Sequence, residues 1–327
     1  TNTRDRKNRI RDSSAMLCNG RGMKGEAKMS EQETWWRERD EGLGVAHALK
    51  MRRLHAEQSA HQEIEIWEHA VLGRVLVLDG LIQAAQADEF LYHEMALHVP
   101  LLGRARQGAS VLIVGGGDGG ALREALVHPF VARVVMVEID ARVIEVSNRF
   151  LGLVGTIDDP RAELVVADAA AYVRDAAASG ERFDVILLDL TEPVGPSGGL
   201  FGEAFLGDLA ACLAPGGVVV DSDSLFLTTD GPRFLQELCN DGAPNLVSLM
   251  RERRLLPHLA SYRATVPVYP GAEFGFFLYS ADGHDYSHPV SHYAGRHYTP
   301  DIHRAAFALP PWWQALSGRP DGEGDKA

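Results

Sequence analysis

Cysteine is scarce: Cys18, Cys212 and Cys239 are the only three in 327 residues, and they lie too far apart for a disulfide framework or a metal motif. Cys212 and Cys239 fall in apolar helical patterns and read as core thiols in a reducing compartment, so a cytoplasmic protein is expected. No run of about eighteen apolar residues is present to cross a membrane as a helix, and no apolar segment follows the basic start as in a secretory signal. Positive charge is short as well. Lys and Arg number 32 against 45 Asp and Glu, a net charge of −13 that disfavours nucleic acid and favours cationic substrates. No internal repeat or low-complexity stretch stands out.

The hydrophobic fraction of 46% and aromatic fraction of 8% are those of a globular chain with ample core. Residues 1–30, with Arg4, Arg6, Lys7, Arg9 and Arg11, read as a disordered extension, with a true start near Met29. Residues 317–327 read as a tail. Residues 31–100 read as a small antiparallel β-domain with a linker helix. Apolar stretches at Val45–Leu54, Gln62–His69 and Arg74–Leu78 are punctuated by Gly73 and Asp79-Gly80, a hairpin signal. A helix is expected over Asp88–Leu102, with Pro100 near its end.

Residues 101–316 alternate strand and helix. Strands are expected at 111–114, 133–138, 162–166, 183–188 and 217–221, with helices at 119–127, 140–150, 168–178, 201–213 and 230–240 between and after them. A closing hairpin is expected from Ser261–Val268 and Phe274–Leu278. Apolar strands alternating with amphipathic helices mean a parallel sheet covered on both faces. The fold class is therefore α/β, a Rossmann-like, methyltransferase-type doubly wound sheet preceded by a small antiparallel β-domain.

The first unit carries the most informative stretch. An apolar strand ends in Gly115-Gly-Gly117-Asp118-Gly-Gly120, and the next strand ends in Glu138-Ile139-Asp140. Gly115, Gly117 and Gly120 satisfy G-x-G-x-x-G, so a dinucleotide enters consideration. Asp118 opposes it, because a carboxylate beside a pyrophosphate sets like charges together in a partly dry site. An adenosyl sulfonium with a cationic tail suits Asp118. Glu138 suits two ribose hydroxyls, being acceptor-only when ionised. Asp168, followed by Ala169, suits an adenine amino group, although alone it also reads as a helix N-cap. Together with Asp189, these are four acids at the carboxyl ends of successive strands, the edge where such sheets bind ligands.

Asp189 and Glu192 open a Pro- and Gly-rich loop, Asp189–Phe201, long enough to act as a lid. A sulfonium is a good leaving group and needs a neutral nucleophile. An alkyl amine with a pKa near about 10 is almost wholly protonated at neutral pH, a handicap of roughly 4–5 kcal/mol. A carboxylate that takes the amine's proton answers it, and Asp189 is placed to do so. Glu192 could hold the second ammonium of a diamine.

Six blocks now carry a resemblance: Val75–Gln83, Asp88–Met95, Gly115–Gly120, Val137–Asp140, Asp189–Pro196 and Asp301–Phe307. In register over residues 34–316, the chain resembles the spermidine synthase family of polyamine aminopropyltransferases. The resemblance implies decarboxylated S-adenosylmethionine as co-substrate with no prosthetic group or metal. It also implies a diamine acceptor, putrescine first, and a homodimer or homotetramer without nucleic-acid or membrane partners. It implies that Gln62, Leu78, His93, Asp118, Glu138 and Asp168 line the donor site, with Asp118 on the aminopropyl ammonium. Asp189 is then the catalytic acid and Tyr92 positions the amine, while Gln83 and Tyr269 belong to the diamine subsite. Glu192 departs from the family's usual Asp-x-x-Asp-Pro, which leaves 1,3-diaminopropane, cadaverine and agmatine open as acceptors. Other readings weighed are an amine N-methyltransferase, a silent polyamine-binding protein and a dinucleotide oxidoreductase. The C-terminal histidines, His284, His288, His292, His297 and His303, match no closed zinc spacing, and Trp35, Trp36, Trp312 and Trp313 read as packing or interface residues.

Overall fold

A computed structural model describes residues 33–38, 47–152, 157–190, 203–224, 255–269 and 273–316. Five strands come first: β1 (Thr34–Arg37), β2 (Ala48–Gln58), β3 (Glu63–His69), β4 (Gly73–Leu78) and β5 (Leu81–Ala85). They pair antiparallel in chain order across one sheet. The Asp79-Gly80 turn has positive φ at both residues (48° and 82°), the geometry that makes Asp-Gly a hairpin signal. The second strand lies further along than Val45–Leu54, because its pairing with β3 runs on to Gln58 opposite Glu63.

The helix α1 (Glu89–Arg104) leads into the second sheet, of order β11-β12-β10-β9-β6-β7-β8. Its strands are β6 (Ala109–Gly115), β7 (Val131–Glu138), β8 (Ala162–Val166), β9 (Phe183–Asp189), β10 (Leu213–Ser224), β11 (His258–Thr265) and β12 (Glu273–Ser280). Strands β6 to β10 are parallel, while β12 runs antiparallel between β10 and β11. The expected closing hairpin is thus present. Helices α2 (Gly120–Leu126), α3 (Ala141–Phe150), α4 (Ala169–Ser179) and α5 (Glu203–Ala211) follow β6, β7, β8 and β9, and the expected helix at 230–240 lies outside the described residues. Two short helices, α6 (Pro300–Ala306) and α7 (Pro311–Leu316), come last.

The apolar strands explain the layering. Val111, Ile113, Met136, Leu187 and Val220 face one core with Met95, Val99 and Leu102 of α1, whereas Leu112, Val114, Ile186 and Val219 face a second with Val173, Phe205 and Leu209. A third cluster joins the sheets, with Ile64, Ile66, Leu76 and Leu78 against Val143 and Val146 of α3.

The helix α1 runs through Pro100, as expected, and ends one turn later at Arg104. Proline forfeits one helical hydrogen bond, and burial of Leu101 and Leu102 holds the last turn in place. Two further ties fix α1. Tyr262 of β11 donates its hydroxyl to the Met95 carbonyl at 2.9 Å. The buried Glu94 carboxylate accepts the backbone N–H groups of Arg296, His297 and Tyr298 at 2.7, 2.9 and 2.6 Å. Among the described residues no helix is long and apolar enough to cross a membrane.

Candidate active site

Reversal of strand order between β6 and β9 opens a crevice at their carboxyl ends, where a doubly wound sheet takes its ligand. The glycine turn after β6 is built for close approach. Gly115 has φ +84°, and a Cβ on it would run into the Asp189 carbonyl. A Cβ on Gly117 would stand 2.8 Å from Glu138 Oε2. The turn thus brings the tips of β6, β7 and β9 together.

Glu138 is buried, with Oε1 accepting the Asp140 N–H at 2.8 Å. Burial pushes its carboxyl up to about 7 against the pull of its backbone donors. Asp140 caps α3, and its Oδ2 also accepts from the Gln62 amide at 3.2 Å, placing Gln62 beside the tip of β7. Leu78 lies at the end of β4 in the cluster that holds Val143, the neighbour of Gly117. Asp168 caps α4, its Oδ1 accepting from Ala170 and Ala171 at 2.7 and 3.2 Å, so the capping reading holds and Oδ2 is left for a ligand. Ala169 is buried behind it and Ile139 is half-buried.

Tyr92, His93, Asp118 and Asp189 form one cluster. Tyr92 donates to Asp189 Oδ1 at 2.8 Å, and its oxygen lies 3.0 Å from Ser222 Oγ of β10. A phenol has one proton, so the serine must be the second donor. Asp189 Oδ2 is sealed from solvent and has no hydrogen-bond partner. Burial, with Asp118 nearby, pushes Asp189 up to about 6. Asp118 Oδ1 accepts the Gly120 N–H at 2.7 Å, and Oδ2 lies 3.3 Å from His93 Nε2. On the far side of Tyr92, the Tyr269 ring stands edge-on at 6.4 Å, and its hydroxyl donates to the Gln83 carbonyl at 2.6 Å. Burial and the surrounding acids, Asp118 first, push Tyr269 well above the usual phenol range. The crevice is therefore strongly negative, with one bare buried acceptor, a setting for a cation or an amine.

One His93 nitrogen and one oxygen each of Asp118 and Asp189 lie within 4.8 Å of one another, a spacing that also suits a metal ion. The His93–Asp118 contact, however, is a hydrogen-bonding one that a metal ligand's lone pair would have to abandon. The C-terminal histidines do not converge: His284 Nε2 faces the Gly103 carbonyl at 2.9 Å, and His303 bridges the Tyr298 hydroxyl and the Tyr286 carbonyl. Glu192 and the rest of its loop after Leu190 lie outside the described residues. Two residues without an assigned part turn out to touch the cluster. Glu89 sits one helical turn before His93, a spacing legible as a shared face. Ser222 has no such signal, lying 130 residues from Tyr92.

Glu138 has a measurable consequence. Its folded pKa is raised to about 7, so its contribution to stability is present below the unfolded value and is lost as pH rises through the folded one. A ligand hydroxyl donating to the carboxylate favours the ionised form. Binding of such a ligand should therefore release roughly half a proton near pH 7 and strengthen as pH rises through that value. Calorimetry in buffers of different ionisation enthalpy reads this directly. Equal release by Glu138→Gln would remove Glu138 from the ligand.

Comparison with known proteins bears on the same residues. A spermine/spermidine synthase domain model matches residues 89–286, and a spermidine synthase tetramerisation domain model matches residues 34–86. A polyamine aminopropyltransferase of Thermoanaerobacter is 38% identical over 284 residues, covering 85% of this chain and 96% of that one. Polyamine aminopropyltransferase 1 of Pseudomonas aeruginosa is 40% identical over 285 residues, covering 83% and 93%. A crystal structure of a spermidine synthase in complex with the transition state analogue AdoDATO superposes with a TM-score of 0.75 at 31% identity, covering 90% of this chain and 98% of that one.

Proposed function

Since the chain belongs to the spermine/spermidine synthase family, we propose that it is a polyamine aminopropyltransferase, moving the aminopropyl group of decarboxylated S-adenosylmethionine to a diamine. The observation that carries the proposal is Asp189 Oδ2, a sealed and unpartnered carboxylate oxygen in the same cluster as Asp118. Asp118 takes the donor's ammonium, Glu138 the ribose hydroxyls, and Asp168 with Ala169 the adenine edge. Gln62, Leu78 and Ile139 complete the donor's walls. The diamine lies along Tyr92, Tyr269 and Gln83.

The reaction balances without a further reagent. The amine's lone pair attacks the methylene carbon bound to sulfur, forming C–N as C–S breaks. The C–S pair returns to sulfur and cancels its charge, so methylthioadenosine leaves as a neutral thioether. The proton lost from nitrogen passes to Asp189 Oδ2, whose pKa near 6 leaves it ionised and basic at neutral pH. Tyr92, donating to Oδ1, aims the carboxylate.

Putrescine is the proposed acceptor and spermidine the product. The strand at the edge of the first sheet, with Trp35 68% exposed, lies in the segment matched by the tetramerisation model and is the proposed contact between copies. The test is release of methylthioadenosine from decarboxylated donor across a panel of putrescine, 1,3-diaminopropane, cadaverine and agmatine. Release dependent on one diamine is expected, and Glu192→Asp should shift that preference while leaving donor affinity unchanged. Tight donor binding without release from any amine would end the transferase reading.

A further inference from the structure

Both ring nitrogens of His93 face carboxylates. Nδ1 lies 2.7 Å from Glu89 Oε2, and Nε2 lies 3.3 Å from Asp118 Oδ2. A neutral imidazole has one N–H and one lone pair, and a lone pair set against a carboxylate oxygen is repulsive. Two ionised partners therefore require two N–H groups, an imidazolium.

Glu89 is held in the ionised state. Arg123 Nη2 of α2 reaches both its oxygens, at 3.2 and 2.9 Å, and only 3% of the side chain is exposed. Burial works against that charge, but His93 and Arg123 outweigh it and hold the carboxyl down at about 2. Asp118 is tied by the Gly120 N–H. The other groups facing the ring are Asp189 from β9 and the edge of Tyr92 at 5.1 Å. Gly120 has no room for a side chain, since a Cβ there would run into the imidazole.

We infer that Glu89 is a positioning residue: by keeping His93 doubly protonated beside Asp118 and Asp189, it sets the charge against which the acceptor amine gives up its proton. The inference rests on the transfer reading above. With His93 cationic, one positive charge stands against two negative ones, and the donor's ammonium and sulfonium give the loaded cluster a net positive charge. An acceptor arriving as a further ammonium is then pressed to pass its proton to Asp189. With His93 neutral, the loaded cluster carries no net charge, and the acceptor keeps its proton, and so lacks a lone pair to attack, up to a higher pH.

The test combines spectroscopy and rates on the full chain. In long-range nitrogen–proton spectra of histidine-labelled protein, assigned by the signal lost in His93→Gln, wild-type His93 should carry both ring protons at neutral pH. In Glu89→Gln it should lose one ring proton at a lower pH than in the wild type, with Asp118 still holding it above a free imidazole. The acid limb of kcat should then move up by about one pH unit, lowering turnover about twofold at neutral pH and approaching tenfold below about pH 5, with recovery in alkali, while the donor KM changes less than about threefold. Glu89→Asp should restore the wild-type limb. A wild-type His93 carrying one proton at neutral pH would overturn the inference. So would a Glu89→Gln loss that is equal at every pH. If wild-type protein releases no thioether from any amine, the transfer reading falls and the catalytic half of the inference with it. Doubly protonated His93 would then stand as a structural fact alone.

Discussion

Asp189→Asn should lower kcat by about 10²–10⁴ while changing donor affinity less than about threefold. The substitution preserves shape and reverses polarity at one atom. If the asparagine carbonyl takes the Tyr92 hydroxyl in place of Oδ1, its NH₂ occupies the place of the unpartnered Oδ2. The acceptor amine then meets a donor where it needs an acceptor, and its proton has nowhere to go. Wild-type Asp189, pushed up to about 6 by burial, should also give turnover an acid limb near that pH. The residual rate of the variant should instead keep rising with pH as free neutral amine becomes available. Initial rates of thioether release at saturating donor and diamine check both statements. Near-wild-type turnover at neutral pH would leave the base to be sought elsewhere.

The second large effect is expected at the donor's tail. Asp118 faces His93 on one side and, in the proposed loaded site, the aminopropyl ammonium on the other. Ordinary S-adenosylmethionine carries a carboxylate at that position, so one charge both attracts the right donor and repels the wrong one. At about 4 Å and an effective dielectric of about 20, a charge pair is worth about 4 kcal/mol, roughly a factor of 10³. Asp118→Asn should therefore lower kcat/KM for the decarboxylated donor by about 10²–10³ and largely abolish its preference over the carboxylated one. Competitive titration of the two donors measures that preference. A variant that still excludes the carboxylated donor would place the discriminating charge on another residue.

Much of this was legible because the relevant signals are local. A buried strand running into a glycine turn fixes where Gly115, Gly117 and Asp118 must lie, and β7 ending in Glu138 repeats the logic one strand over. Asp168 showed both faces of its signal, since an acid after a strand is a helix cap whatever else it does. The parts hidden from the sequence are long-range contacts. Tyr269 reaches Gln83 through that residue's backbone carbonyl rather than its side chain, so no residue type could announce the pairing. Ser222 meets Tyr92 only because β10 lies beside β9.

The grip of Glu94 on residues 296–298 has a consequence for how the protein comes into being on the ribosome. The helix that carries Glu89, Tyr92 and His93 is made first. The amides that satisfy its buried Glu94, at a place where Gly295 leaves no room for a side chain, follow 202 to 204 residues later. Until they emerge, a buried carboxylate on the same helix lacks its partners, and the helix cannot settle at full depth. A nascent chain therefore carries every strand-tip acid before it has a working crevice, and readiness for catalysis waits on a segment 202 to 204 residues downstream of Glu94.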